Sequence, residues 1–558
     1  MTAETPHPKQ SRPLILRYPL LLVVLGHCLF SLGLWKAEIG FGEDTVPIRT
    51  ALTSVKEHTL NSNAYIDLYA LILGTVAPDP MQAAVVMRFL VSLFTAISLY
   101  LVLSRFSDRL KIEAILFATF VWIACRLNAP LVVFTNVNGF SFAIMLLGIY
   151  ALFSPRRGWG LAGFVFFSGL AISLRPEWIA PFGLIALFLV GNGLWSWLRR
   201  SQGVERRNKV IALAVCLVVG LGVLMALTSR LQAAARKGDE YLLLGLGQCY
   251  ASFLKAEHPE QKFDAMTEFQ GVLDRTFGHP KTMMEAVHHN PQEFFRYLRG
   301  NTTQNLRRIP EELLSTHAGH NASLLARPHS LLLYLVLFGG GACAVVNFLQ
   351  RRKSPAPAGK ETALRLSVAK RAIVLLLFSS ASSVAVVLLV GSPRYWISIV
   401  PLVYLVMAFC GDGLLRRIDR PIVDYALVLA AFACFCWPNF LHLKGENVEV
   451  RAMRTVAPRV RPHPVIGALW GDPLAVYGFR GEAVAVSAWD GIKAEDIAAG
   501  HIDILLINRG FRDSRTYATQ QAFFESFEKD PTQFGFQKLD GIEMGPRVVY
   551  YRPAGAVK

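Results

Sequence analysis

The feature that most constrains this chain is a series of long apolar runs separated by short connectors rich in Lys and Arg. About 20 apolar residues cross the hydrocarbon core of a bilayer, and short basic connectors mark its cytoplasmic side. Hydrophobic residues make up 53% of the sequence and charged residues only 17%, a balance far too apolar for a soluble protein of this size. The pattern predicts a mainly α-helical, polytopic membrane protein with about eleven transmembrane helices.

The predicted spans alternate in direction from a cytoplasmic N-terminus, because every short connector assigned to the inside is basic. In chain order they cover residues 18–35, 82–103, 112–128, 139–153, 159–174, 178–197, 210–228, 329–349, 371–391, 396–414 and 421–440. A shorter apolar stretch, 65–76, carries Asp67 and predicts a helix lying at the outer membrane surface. The order predicts a multi-pass protein of the plasma (inner) membrane.

Two outer loops and a tail complete this organisation. The loops cover about residues 36–81 and 229–328, and the second has the periodicity of extracytoplasmic helices. In the tail, strand-like runs at Val465–Trp470, Ile502–Ile507 and Val548–Tyr551 alternate with a helical stretch, which predicts a small α/β domain. We therefore predict a transmembrane domain over residues 1–440 and an extracytoplasmic domain over 441–558.

The charge and the cysteines exclude two other classes of function. The net charge is +17, but much of the Lys and Arg lies in the connectors, where topology requires it, and no nucleic-acid recognition motif is present. Cys434 and Cys436 stand two residues apart within an apolar run, which does not suit a metal site. We predict no cofactor, and a divalent cation has no support in the sequence.

An acidic pair, Glu43 and Asp44, follows the first span and falls on the predicted outer side. A carboxylate there is costly if it enters lipid and useful if it faces water, where it can accept a proton from a hydroxyl. The pair is thus a candidate catalytic site. The alternative is a solvated turn or a helix N-cap, since Asp44 precedes Thr45-Val46-Pro47.

Three arginines fall at the outer boundary, where topology does not ask for basic residues: Arg88, Arg175 and Arg394. The guanidinium fork binds phosphate through two parallel hydrogen bonds. The alternative is that each side chain extends to lipid headgroups or pairs with an acidic neighbour such as Glu177 or Asp44. With the acidic pair, they predict a site for a phosphorylated lipid.

These motifs, in this order, resemble the GT-C superfamily of integral-membrane glycosyltransferases, above all the branch of the protein mannosyltransferases and the aminoarabinose transferase of lipid A. The resemblance lies in Gly42-Glu43-Asp44 after the first span and in Met87-Arg88-Phe89-Leu90 opening the second. It continues in Ser173-Leu174-Arg175-Pro176-Glu177 at a hairpin tip and in Ser392-Pro393-Arg394-Tyr395-Trp396, and it covers roughly residues 15–440.

The resemblance implies a polyprenyl-phosphate sugar donor, an inverting transfer and chemistry on the extracytoplasmic side. Asp44 would be the catalytic carboxylate, with Glu43 as the other candidate, because the family often has the pair in the order Asp-Glu. Arg394 would contact the donor phosphate and Arg175 would be a secondary contact, with Arg88 and Tyr395 completing the set. No Asp-x-Asp motif is present, so the metal-dependent mode of oligosaccharyltransferases is unsupported.

Two other functions remain open on the sequence. A non-catalytic transporter or flippase of lipid-linked sugars would carry charged groups in the middle of its spans, which here are largely free of charge. A polysaccharide polymerase or ligase would need the same outer arginines. The acceptor is a glycan, a lipid or a protein, and the sequence names neither it nor the sugar.

Overall fold

A computed structural model describes residues 18–32, 45–61, 63–125, 137–154, 157–200, 243–258, 260, 268–314, 335–343, 346, 367–388, 397–418, 420–441, 448–488, 491–542 and 544–555. The chain divides into two compact units. The first comprises Met1–Tyr150, Thr316–Pro355 and Met407–Lys558, and the second comprises Ala151–Ser315 and Ala356–Val406.

Helices make up most of both units, as the sequence predicted. Up to residue 441 they are, in chain order, α1 (Pro19–Leu32), α2 (Thr45–Glu57), α3 (Ala64–Thr75), α4 (Pro80–Ser104), α5 (Ile112–Ala124), α6 (Val137–Leu152), α7 (Arg157–Leu174), α8 (Ile179–Arg200), α9 (243–257), α10 (Phe269–Phe277), α11 (Met283–His289), α12 (Pro291–Leu314), α13 (Val368–Leu388), α14 (Val400–Ile418) and α15 (Pro421–Leu441). Single 3₁₀ turns at Pro176–Trp178 and 397–399 precede α8 and α14, and a π-helical segment covers Leu335–Gly340.

The apolar helices lie where the spans were predicted. Among the described residues, two helices are long and apolar enough to cross a membrane, Pro80–Ser104 and Ile397–Ile418, and several shorter apolar helices accompany them. The predicted span 210–228 and most of 329–349 lie outside the described residues. The number of spans and the domain boundary at residue 440 therefore stay predictions.

Helix α2 was not predicted, and its composition explains why. Its buried residues, Thr45, Ile48, Ala51 and Ser54, recur every three positions, but only one of them is a large hydrophobic residue. Hydrophobic periodicity cannot detect a helix whose buried face is small and polar. The predicted surface helix, in contrast, is present as α3, and it packs against both α2 and α4.

A cluster of charged residues joins three helices of the first unit at one end. The backbone N–H of Lys111 donates to Asp412 Oδ1 over 2.8 Å, and Lys111 Nζ lies 3.0 Å from Asp424 Oδ2. Asp412 also accepts a hydrogen bond from Arg416. The start of α5, the end of α14 and the start of α15 therefore meet. Lys111 and Arg416 lie in connectors that the sequence assigned to the cytoplasmic side, and Asp412 and Asp424 lie near the cytoplasmic ends of the predicted spans 396–414 and 421–440.

The C-terminal part of the first unit is an α/β domain. Its helices are α16 (Val448–Val456), α17 (Gly471–Phe479), α18 (Ala494–Ala498), α19 (Arg509–Arg512), α20 (Arg515–Thr519) and α21 (Gln521–Lys529), and its strands are β1 (Val465–Ala468), β2 (Val484–Ser487), β3 (Ile504–Ile507), β4 (Gln537–Lys538) and β5 (Val548–Tyr551). The strand order is β2-β1-β3-β5-β4; β1 is parallel to β2 and β3, and β5 is antiparallel to β3 and β4.

Strand β3 shows why this sheet is stable. Ile504 and Leu506 belong to the hydrophobic core on one face, and Leu505 and Ile507 belong to the core on the other. Alternate side chains of a strand point to opposite faces, so an unbroken apolar run such as 504–507 predicts a strand covered on both sides. The three strand-like runs found in the sequence are β1, β3 and β5.

In the second unit, helices α9 to α12 pack around aromatic residues, among them Tyr250 and Tyr297, whose rings meet edge to face. Glu293 accepts hydrogen bonds from Arg296 Nε over 2.8 Å and from the Tyr250 hydroxyl over 2.6 Å. Arg296 also pairs with Glu257. The hydrogen bonds from Arg296 lower the pKa of the Glu293 carboxyl, whereas burial raises the pKa of Tyr250.

This network predicts an acid-sensitive fold for the helical loop. A carboxyl whose pKa is lowered by folding stabilises the fold above its unfolded pKa, about 4.3, and loses that contribution as the pH falls through its folded value. We expect Glu293→Gln to lower Tm at pH 7, and the difference from wild type to shrink below about pH 4. Thermal melting in detergent between pH 7 and pH 3 measures this, with the more exposed Glu260→Gln as control. A difference in Tm that stays constant over this range would contradict the prediction.

Candidate active site

The structure describes two of the predicted site residues, Arg88 and Arg175. Arg88 belongs to the first unit and Arg175 to the second. Glu43, Asp44, Arg394 and Tyr395 lie outside the described residues. The geometry around these four therefore comes from the described residues next to them in the chain.

Arg88 is buried inside the first unit, with only 1% of its surface exposed. It is the ninth residue of α4, so at 1.5 Å per residue it stands about 12 Å from the start of that helix. The sequence predicted it at the outer membrane boundary, at the start of the second span, and α4 begins at Pro80, two residues before the predicted start of that span. A guanidinium held out of water in an apolar helix is costly, and such residues commonly mark functional sites.

A polar cluster lies beside Arg88, where α1 packs against α4. His27 Nε2 is 3.0 Å from Ser92 Oγ and 3.3 Å from the backbone oxygen of Phe89, and neither His27 nor Ser92 is exposed. The neighbouring Gly26 is required by packing, because a Cβ at this position would lie 2.8 Å from the ring of Phe120. The cluster fixes α1 against the part of α4 that carries Arg88.

Helix α2 begins at Thr45, the residue immediately after Asp44. Thr45 is 6% exposed, so α2 is buried from its first described residue. The alternative interpretation of Asp44 as a helix N-cap stays a prediction. An Asn at position 44 would keep that capping capacity while removing the base.

Asp79 is a second acidic residue of the first outer loop, and it was not predicted as a functional residue. Its Oδ1 caps α4, accepting hydrogen bonds from the backbone N–H groups of Met81 over 2.9 Å and Gln82 over 3.2 Å. Its Oδ2 lies 2.6 Å from a terminal nitrogen of Arg454 in the C-terminal domain. The sequence Asp-Pro at positions 79–80 was a recognisable helix-start signal, but the distant arginine was not predictable from it.

Arg175 precedes the 3₁₀ turn at Pro176–Trp178 in the second unit. One of its terminal nitrogens lies 3.6 Å from Glu177 Oε1, the neighbour that the sequence offered as an alternative partner. The side chain of Arg175 is 27% exposed and that of Glu177 is 60% exposed. An exposed pair at this distance contributes little to stability, about 0–1 kcal/mol, and does not prevent the guanidinium from binding an anion.

The turn after Arg175 and the segment after Arg394 contact adjacent residues of α13. The ring of Trp178 stacks on that of Phe378, with centroids 5.5 Å apart and planes 3° from parallel. The hydroxyl of the next residue, Ser379, donates to the backbone oxygen of Ser398 over 3.0 Å. Trp178 is three residues beyond Arg175 and Ser398 is four residues beyond Arg394 in the sequence, and both contact α13.

Metal ligands do not form a cluster in the part of the chain that the structure describes. Within it, no group of three or more His, Cys, Asp or Glu side chains could hold a metal ion.

No protein-family model and no curated protein matches the sequence. Among solved structures, the chain is similar to ArnT from Cupriavidus metallidurans in the apo state, with 11% identity over 98% of this chain and 100% of that one and a TM-score of 0.48. The same protein bound to undecaprenyl phosphate matches with 11% identity over 97% and 99% of the two chains and a TM-score of 0.43.

The chain is also similar to the apo form of the oligosaccharyltransferase from Archaeoglobus fulgidus, with 11% identity over 89% of this chain and 70% of that one and a TM-score of 0.42. These neighbours are GT-C glycosyltransferases, the superfamily that the order of the sequence motifs resembles. At this identity and these TM-scores, the likeness carries no conclusion about the activity of this chain.

Proposed function

We propose that this protein is an integral-membrane glycosyltransferase that moves a sugar from a polyprenyl-phosphate donor to an extracytoplasmic glycan, lipid or protein acceptor. Asp44 is the base, with Glu43 beside it. Arg394 binds the donor phosphate, assisted by Arg175 and Tyr395, and the buried Arg88 adds positive charge. The transfer inverts the configuration of the sugar, as the resemblance of the motifs implies.

The observation that supports this proposal is that two segments contact the same helix, α13. Trp178 contacts Phe378, and Ser398 contacts Ser379. Arg175 and Arg394 are far apart in the sequence, but each is only a few residues along the chain from a residue that contacts α13. The donor phosphate is a diester with one negative charge and gains a second charge as the sugar leaves. Two guanidinium groups, each able to donate two parallel hydrogen bonds, suit that charge.

The chemistry needs little beyond these groups. The carboxylate of Asp44 accepts the proton of the acceptor hydroxyl, and the hydroxyl oxygen attacks the anomeric carbon from the face opposite the phosphate. A new glycosidic bond forms while the bond between the anomeric carbon and the phosphate oxygen breaks. The electron pair of that bond leaves with the lipid phosphate, whose growing negative charge the arginines stabilise. This step requires no redox cofactor and no covalent enzyme intermediate.

Two sets of contacts support the proposed orientation in a plasma (inner) membrane. Lys111 and Arg416 come from connectors predicted to be cytoplasmic, and they meet Asp412 and Asp424, which lie near the cytoplasmic ends of two predicted spans. Asp79 and Arg454 meet as well, and they come from the predicted outer loop 36–81 and the tail 441–558. Residues predicted on the cytoplasmic side thus contact one another, and so do residues predicted on the outer side. This pattern supports an extracytoplasmic C-terminal domain.

A transporter of lipid-linked sugars is the second candidate, and Arg88 is the observation that favours it. A charged side chain buried two turns inside an apolar helix is also expected where a headgroup passes through the membrane. A polymerase or ligase differs from the proposed enzyme only in its acceptor.

The decisive experiment is to reconstitute the full chain in liposomes with a radiolabelled polyprenyl-phosphate sugar and crude envelope acceptor. We expect release of lipid phosphate together with labelled acceptor, at a rate that depends on Asp44. Movement of the donor between leaflets without any transfer product would identify a flippase and overturn the proposal. Labelled chains that grow by repeated addition would identify a polymerase. Liposomes without protein and liposomes with the Asp44→Asn protein are the controls.

A further inference from the structure

One side of helix α2 lies against the C-terminal domain. Arg49, Leu52 and Lys56 follow one another at helical spacing, and each contacts that domain. A terminal nitrogen of Arg49 lies 2.8 Å from Asp472 Oδ1, and Lys56 Nζ lies 3.7 Å from Glu482 Oε1. The two partners flank α17, Asp472 in its first turn and Glu482 three residues beyond its end. Helices α2 and α17 therefore run side by side in the same direction.

Between the two ion pairs, Gly481 lies against the side chain of Leu52. Gly481 has a φ of +78°, which only glycine adopts readily, and a Cβ built there would lie 3.2 Å from Leu52 Cδ1. A larger residue at this position would strain the backbone and require the Leu52 side chain to move by a few tenths of an ångström. The basic residues of this stripe lie on α2 and the acidic residues on the C-terminal domain, so the charges fix the register of the two helices.

The same domain also holds the start of α4. Arg454 pairs with Asp79 Oδ2 over 2.6 Å while Asp79 Oδ1 caps the helix, so one carboxylate joins the domain to the helix that carries Arg88. Asp79 is the more buried partner, with 18% of its side chain exposed against 35% for Arg454. The C-terminal domain thus contacts both α2 and α4.

Helix α2 depends on such contacts for its position. It has 13 residues and a polar composition, and isolated helices of this length are marginal in water. Arg49 is the fifth residue of α2, about 6 Å along the axis from Thr45. A shift of α2 would therefore reach the residue just before it, and in the proposed function that residue is the base.

We propose that Arg49 and Asp472, together with Arg454 and Asp79, are positioning residues for sugar transfer. Through them the C-terminal domain fixes α2 and thereby the residue that precedes it, Asp44. This inference rests on the proposed function. It gives the C-terminal domain a role in the chemical step, even though none of these four residues touches the substrate.

The test is a charge reversal and its rescue in the full-length protein. A misplacement of about 1 Å can cost up to about a hundredfold in rate, so we expect Arg49→Asp or Asp472→Arg to lower kcat about tenfold, with KM for the donor changed less than about twofold. The double variant Arg49→Asp/Asp472→Arg should recover kcat to within about twofold of wild type. Because the pair is exposed, Tm should shift by no more than about 2 °C.

Hydrogen exchange gives a readout that does not depend on activity. We expect Asp472→Arg to speed exchange of the α2 amides, and the double variant to restore their protection. The matched control is Arg509→Asp, which breaks an exposed pair with Asp513 inside the C-terminal domain and should change neither kcat nor exchange in α2. Asp79→Asn is a second test variant, since it keeps the cap of α4 and loses only the charge that binds Arg454.

The outcomes separate this inference from the proposed function. If the single charge reversals keep the wild-type kcat while Asp44→Asn inactivates the protein, the inference is overturned and the proposed function is retained. Loss of kcat that the double variant does not restore would also overturn it. If the wild-type protein shows no transfer activity, both the proposed function and this role are overturned. Hydrogen exchange in α2 would still show whether the C-terminal domain stabilises that helix.

Discussion

Replacing Asp44 with Asn is expected to lower kcat for sugar transfer by about 10²–10⁴-fold, the usual contribution of a general base. The amide is nearly the same size as the carboxyl but cannot accept the proton of the acceptor hydroxyl. Asn is also as good a helix cap as Asp, so the start of α2 at Thr45 should be kept. The substitution therefore separates the catalytic role from the structural alternative. Transfer of a labelled sugar in liposomes is the measurement.

The matched control is Glu43→Gln, which changes the neighbouring residue in the same way. If Asp44 is the base, Glu43→Gln should keep kcat within about tenfold of wild type, because it removes a nearby charge and not the proton acceptor. The reverse pattern would move the catalytic role to Glu43. Equal activity of wild type and Asp44→Asn, with an unchanged Tm, would exclude Asp44 as the base and leave it the role of a cap.

The sequence predicted the positions of the apolar helices, and the reason is physical. A transmembrane helix must satisfy every backbone hydrogen bond internally and must be apolar for about 20 residues, so its signal is local. Helices α4, α6 and α15 accordingly begin and end within about two residues of the predicted bounds. The sequence signal of the three strand-like runs in the tail was equally local, because an unbroken apolar run predicts a strand buried on both faces.

Helix α2 and the residues that hold it were not predictable, because their roles are decided by distant parts of the chain. Asp79 and Arg454 are 375 residues apart in the sequence and meet only in the folded unit. Neither residue stands in an unusual stretch of sequence, and no hydrophobic periodicity links the two positions. The acidic pair and the arginines were predicted as site residues because membrane topology does not require charged residues at those positions. Pairs such as Arg49 and Asp472 carry no such sign, since charged residues are ordinary in outer loops.

Two sets of polar contacts in the first unit set the position of α4, the helix that carries Arg88. His27 on α1 forms a hydrogen bond with Ser92 on α4. Asp79 caps α4, whose first residue lies eight residues before Arg88. Polar contacts inside a membrane bundle each contribute about 0.6 kcal/mol on average, so several are needed to set a helix position. Arg88 is therefore placed by a rigid helix and not by a loop.

Removing the guanidinium of Arg394 is expected to have the other large effect. We expect Arg394→Ala to lower kcat by about 10²–10³-fold, the cost of losing one donor to developing negative charge. Arg394→Lys should retain part of the activity, because lysine keeps the charge but not the two-pronged hydrogen bonding to phosphate. Arg175→Ala should raise KM for the donor more than it lowers kcat, as suits a secondary contact. Single-turnover assays with the labelled donor separate binding from chemistry.

Trp178 and Ser398 both contact α13, and the proposed function adds a sharper prediction, that Arg175 and Arg394 act on one phosphate. Two groups that bind the same charge show non-additive losses, so Arg175→Ala/Arg394→Ala should lose less in kcat/KM than the product of the single losses. Glu177→Gln is the matched control: it removes the weak partner of Arg175, 3.6 Å away, and should change kcat/KM less than about threefold. Strictly multiplicative losses would mean that the two arginines serve separate sites, and the shared contact with α13 would then be structural.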